Sequence, residues 1–146
     1  MLMTNHVLSG ALVGAVVRRP LPAFAIGIAS HFALDGMPHW GKWRSERQFL
    51  RVAVPDGLIG LAAMAAFTAA APPARRAAVT AGMLGAALLD LDKPTRLWFG
   101  FSPWPGPVNA FHSRIQREEQ GRFGHEATAA VLFAATAAAL LRRGAG

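Results

Sequence analysis

His31, Asp35 and His39 follow one another at steps of four in SHFALDGMPHW, the end of an otherwise apolar run. A step of four returns to the same face of a helix. His31 and Asp35, one turn apart, can therefore reach one ion. His39 follows Pro38, just beyond the helix, where it can fold back or support a ligand. A second candidate pair, Asp90 and Asp92, closes another apolar run in LLDLDKP. His6 opens the first such run, and His112 lies in FHSRIQ. The chain has no cysteine, so disulfides and thiolate ligands are excluded and a metal site must be built from His, Asp and Glu. Such a donor set suits a divalent ion, zinc first, with Mn, Fe or Mg as alternatives. We take His6, His31, Asp35 and Asp90 as candidate ligands, and Asp92, His39 and His112 as candidate proton carriers.

Each of these has a plainer reading. His31 and Asp35 can be a hydrogen-bonded pair that ties a helix bundle together. Asp90 and Asp92 can mark a helix stop before Lys93-Pro94, although acids there oppose the helix dipole. Asp56 follows Pro55 and suits a helix N-terminus; its expected part is support. His125 beside Glu126 reads as a capping and interface pair.

Five apolar segments must position these side chains. They run over residues 4–17, 21–37, 52–71, 77–91 and 124–141, with Pro, Gly and paired Arg at their boundaries. The periodicity predicts helices. Residues 38–51 and 94–123 are long connecting loops, the second rich in Pro, Gly and aromatics. One domain over 1–146 is expected.

If the five segments cross a membrane in alternation, all five histidines and all four aspartates fall on one side. The other side receives Arg18, Arg19, Arg75, Arg76, Arg142 and Arg143 and no acid. Small residues lie in steps of four beneath the ionisable ones: His6, Gly10, Gly14; Gly27, His31, Asp35; Asp56, Gly60; Gly82, Ala86, Asp90; His125, Ala129. Small residues let helices in lipid approach closely, so these seams would aim the ionisable groups at a shared centre.

Composition supports a membrane setting. Of 146 residues, 53% are hydrophobic and 16% charged, where a soluble domain has about 25% charged. Mean hydropathy is +0.30. We therefore expect an all-α membrane bundle of about four to five short hydrophobic helices, integral to a bacterial cytoplasmic membrane, with lipids as partners. An alanine-rich soluble bundle is the rival. The net charge of +7 flanks apolar blocks, which fits lipid phosphates better than nucleic acid; no nucleic-acid partner is expected. The opening MLMTNHVLSGALVGAVVRR has no basic n-region or clear cleavage site, unlike a removable signal peptide. Trp40, Trp43, Trp98 and Trp104 all fall on the His/Asp side, as an aromatic belt would.

NHVLSGALVG, SHFALDGMPHW, GMLGAALLDLDKP and FHSRIQ together resemble the small membrane-bound, metal-dependent hydrolases of bacteria, whose ligand pattern is distantly similar to zinc-dependent phospholipase C. The likeness covers roughly residues 4–118. His6, Asp90, Asp92 and His112 stand at the family's motif positions. Leu89 replaces a usual proline, and only His112 represents a fuller histidine run. The resemblance implies metal-assisted hydrolysis.

The resulting expectation is hydrolysis of a phosphate ester or lipid at the membrane surface, with a divalent ion acidifying its water to about pKa 7. The arginines on that side would meet lipid headgroups, or one or two would clamp a phosphate. Two rivals stand beside it: a transporter, which would want ionisable groups near the midplane, and a structural protein stapled by metal. The compact arginine pairs favour an extracytoplasmic site.

Overall fold

The computed structural model describes residues 1–143, and its regular structure is almost wholly helical. The order is α1 (Met3–Val17), α2 (Pro20–Asp35), β1 (His39–Trp40), α3 (Glu46–Ala70), α4 (Pro73–Ala87), a 3-10 turn (Leu88–Leu91), α5 (Asp92–Phe99), α6 (Gly106–Ile115), β2 (Glu118–Glu119) and α7 (Phe123–Arg142). The two strands pair in parallel, His39 opposite Glu118 and Trp40 opposite Glu119. The all-α expectation holds.

Glycine sets the spacing of the bundle. α4 packs along both α1 and α2, while α3 and α7 flank α1. A Cβ at Gly10 or Gly14 of α1 would collide with the α4 backbone. One at Gly27 of α2 would meet Gly82 of α4, and one at Gly85 would meet the Phe24 backbone. The three helices therefore touch backbone to backbone, as small-residue seams allow. Val7, Ala11, Val79, Met83, Ala137 and Leu141 fill the core beside them.

Among the described residues, two helices are long and apolar enough to cross a membrane: α3, with 25 residues and a mean hydropathy of 1.6, and α7, with 20 residues and 1.4. The expected four to five spans are thus reduced to two by this measure. α1, α2 and α4 have 15, 16 and 15 residues. At about 1.5 Å per residue they fall short of a hydrocarbon core of about 30 Å. α3 turns most of its apolar surface outward: Leu58, Ile59 and Leu61 are 64%, 57% and 55% exposed.

The regions expected as loops carry structure. Ser45 caps α3 by accepting from the Gln48 amide at 3.2 Å, and Gln48 Oε1 accepts from the Arg44 amide at 2.8 Å. This Ser-x-x-Gln start satisfies orphan amides and begins the helix before its apolar run. Residues 94–123 hold most of α5 and all of α6. α5 closes on Gly100, whose positive φ of 74° suits a helix end.

Candidate metal centre

The N-terminus of α1 is capped from outside. Its first turn has free amides that its own sequence leaves uncapped. Asp56 of α3 accepts from Met3 N at 2.7 Å and Thr4 N at 3.2 Å. Glu126 of α7 accepts from Leu2 N at 3.2 Å, Asn5 Nδ2 at 2.6 Å and Trp40 N at 3.0 Å. Carboxylates also suit the positive end of the helix. One turn into α1 stands His6, fully buried.

His6 meets side chains from two other elements, and a third element joins the cluster through His31 and Asp35. His31 and Asp35 come from the last turns of α2, Asp90 from the 3-10 turn, and His112 from α6. All are buried, His6, His31 and Asp35 completely. The His6 and His31 rings stack at 4.0 Å between centroids. Asp35 is the hub. Its Oδ1 lies 3.2 Å from His6 Nε2 and 2.6 Å from the Met1 amino group. Its Oδ2 lies 2.8 Å from His112 Nε2 and 3.2 Å from His31 Nε2, and accepts from Gln116 Nε2 at 3.3 Å. Asp90 Oδ2 is 3.9 Å from His6 Nε2.

Hydrogen bonding fixes which nitrogen is free. His31 Nδ1 lies 2.7 Å from the Ala86 carbonyl oxygen. A carbonyl only accepts, so Nδ1 carries the proton and Nε2 presents a lone pair to the centre. Facing it at 3.0 Å is His112 Nε2. His39 repeats the pattern: Nδ1 donates to the Met37 carbonyl at 2.8 Å, and its buried Nε2 has no partner. Neither nitrogen of His6 makes a hydrogen bond, despite the nearby carboxylates. Burial lowers the His39 pKa, outweighing the Met37 carbonyl, so the ring stays neutral near pH 7.

Among the described residues, two triads can each offer three donor atoms within 4.8 Å of one another: His6, His31 and Asp90, and His31, Asp35 and His112. Both need His31, whose single free nitrogen can ligate one ion. The triads therefore cannot both be filled at once. They are overlapping choices of donor around one position.

All four residues expected as ligands, His6, His31, Asp35 and Asp90, are brought together. His112, expected to carry protons, stands among the donors instead. His39 lies close by and lines a cavity with Asp90. Asp92 is drawn aside: Arg96 binds both its oxygens at 2.8 Å, one helical turn along α5. Asp56 and Glu126 support α1, and His125 is exposed beside Arg122. Gln116 was not singled out in the sequence, though it stands one turn after His112. Nor was Lys93, whose Nζ lies 2.8 Å from Asp90 Oδ1. Partial burial works against the Lys93 charge, but Asp90 outweighs it and raises the pKa.

Two cavities flank the donors. One, of about 510 Å³, is polar and includes Lys42, Lys93, His112, Gln116 and Arg117. The other, of about 430 Å³, is largely apolar and lies against α3, with Asp90 and His39 in its wall. Lys93 and Glu118 line both.

The chain matches no protein-family model, no curated protein and no solved structure at a significant level.

Proposed function

We propose that this chain is a metal-dependent hydrolase integral to a bacterial cytoplasmic membrane. Its centre would draw on His6, His31, Asp35, Asp90 and His112 for a divalent ion, zinc in the first place. The observation that carries this is His6. It is fully buried, both its nitrogens lack hydrogen bonds, and it faces two carboxylates and stacks on a second imidazole. In a purely hydrogen-bonded cluster, each unpartnered buried polar atom costs about 1–3 kcal/mol. Ligation removes that cost at Nε2, and it separates His31 Nε2 from Asp35 Oδ2, which otherwise meet lone pair against lone pair at 3.2 Å. The pattern NHVLSGALVG, SHFALDG, LDLDKP and FHSRIQ agrees with the membrane-bound hydrolases it resembles.

An ion bound here supplies a Lewis acid and makes water a better nucleophile. The residues do the rest. The Ala86 carbonyl holds His31 in the ligating tautomer. Asp35 gathers three imidazoles around one carboxylate. His39 keeps a free lone pair on Nε2, which suits it to accept a proton in the cavity it shares with Asp90. Lys93 balances the Asp90 charge. A phosphate ester fits the cations of the polar cavity.

The burial of His6, His31 and Asp35 also favours a second reading, a closed structural metal site. Chelation separates the two. The hydrolase reading expects phosphoester turnover to stop on chelation and to return with metal, while helicity persists. It also expects His39→Gln to lower kcat by about 10²–10⁴-fold with metal content unchanged. Loss of helicity on chelation would favour the staple. No turnover by metal-loaded, folded protein on phosphate monoesters and diesters would contradict hydrolysis.

A further inference from the structure

The two cavities differ in character and meet at Lys93 and Glu118. Lys93 lines both, and it is tied to the candidate ligand Asp90. On the polar side, Lys42, Lys93 and Arg117 face Asp92 and Glu118. Asp92 is already engaged by Arg96 and Lys93 by Asp90, which leaves Lys42 and Arg117 against Glu118, an excess of one positive charge that favours an anion. Ser113 and Gln116 add donors there. On the apolar side, Val54, Leu58 and Leu61 of α3 oppose Leu97 and Trp98 of α5. Leu58 and Leu61 are also more than half exposed. The apolar cavity therefore continues into the outward surface of α3, the helix with the highest hydropathy of the two candidate spans.

We infer that the substrate of this centre is an amphiphile, with a phosphate headgroup on the polar side of Lys93 and a hydrocarbon chain in the cavity between α3 and α5. The inference rests on the reading of the donors as a membrane hydrolase centre and names what that centre acts on. Charge selects the headgroup. Apolar burial selects the chain. Continuity with the α3 surface gives the chain a lateral way in from the bilayer. A free phosphate would use the polar cavity alone and leave the apolar one without a role.

Gly57 offers a direct test. It lines the apolar cavity, and a Cβ placed on it meets nothing within 4 Å. Gly57→Phe therefore puts a ring where the chain would lie without pressing on backbone, and Val131→Phe, at an exposed position of α7 outside both cavities, serves as control. The full chain is reconstituted in phosphatidylcholine nanodiscs and titrated with bromododecyl phosphate. Trp40, Trp43 and Trp98 line the cavity, so a bromine-bearing chain within it quenches their fluorescence. The expected result is saturable quenching, weakened at least about tenfold in Gly57→Phe and unchanged in Val131→Phe. Lys42→Glu, at an exposed position, weakens it in the same direction. Bromododecanol binds at least about tenfold less tightly.

Equal binding of the alcohol, or equal affinity in Gly57→Phe, would overturn the inference. So would displacement of the probe by an equal concentration of inorganic phosphate, which would make free phosphate the ligand. Metal content is measured in the same samples. Metal bound without saturable quenching sinks the amphiphile and leaves the centre standing. Quenching without metal, after metal is resupplied, sinks the centre and leaves a lipid-phosphate site.

Discussion

Asp35 shows how much chemistry one side chain can organise. Both its oxygens are shared among groups from different parts of the chain, and none of its surface is exposed. A buried carboxylate is costly unless it is paired, and here the pairing draws α1, α2 and α6 to one point. The sequence could point to His31 and Asp35 because a single helical turn relates them. It could not show that His112 joins them, since the two stand 77 positions apart, far beyond the reach of a helical repeat. His39 gives a prediction at this scale. Burial lowers its folded pKa below the ordinary value, so the unfolded chain binds the proton more readily. Its contribution to stability is complete above the ordinary histidine pKa of about 6.5 and is lost as pH falls below it. Thermal midpoints of wild type and His39→Gln, measured between pH 5 and 8, test this. The wild type should lose more stability on the acid side, and parallel curves would contradict the assignment.

At the scale of elements, the glycine seams were legible and the phase of one was not. Gly10, Gly14, Gly27 and Gly82 lie on contacts between helices, as the steps of four implied. In α7 the seam is displaced by one residue: His125 is exposed, whereas Glu126, Ala137 and Leu141 are buried. An alanine-rich helix carries too little contrast between its faces to set the phase. The short helices α5 and α6 were hidden for another reason. Pro and Gly dominate their surroundings, yet Pro107 sits in the first turn of α6 and Gly100 closes α5, positions where these residues favour helices. Gly82 is the sharpest test of the packing. Its added Cβ would collide with the Gly10 carbonyl and crowd Gly14. Gly82→Val should destabilise the protein by about 1–3 kcal/mol or more and release bound metal by moving Asp90 from His6. A thermal melt with metal analysis checks both, and an unchanged midpoint would contradict close contact of α1 and α4.

Across the whole molecule, the His/Asp donors gather at one end, while Arg75 reaches the other end of α7 and donates to the Leu140 carbonyl at 3.0 Å. The sorting of side chains along the sequence therefore agrees with where the His and Asp side chains cluster, even though fewer helices are long enough to cross a bilayer. α3 and α7 present their apolar residues outward, where a soluble bundle would turn them in. We expect the protein to remain in the membrane pellet through an alkaline carbonate wash and to need detergent for release. A stable monomer in the aqueous supernatant would contradict integration.

The measurement that bears most directly on the centre is the metal content of purified, folded protein after resupply with Zn, Mn and Fe, wild type beside Asp35→Asn. The two triads compete for His31, so about one equivalent of one metal is expected in the wild type. Asp35→Asn keeps the shape of the hub and removes its charge. It should lose that metal while circular dichroism shows its helices intact. Wild-type protein that is folded, resupplied and still free of metal would contradict the centre, and would leave His6, His31 and Asp35 as a buried polar knot holding the bundle.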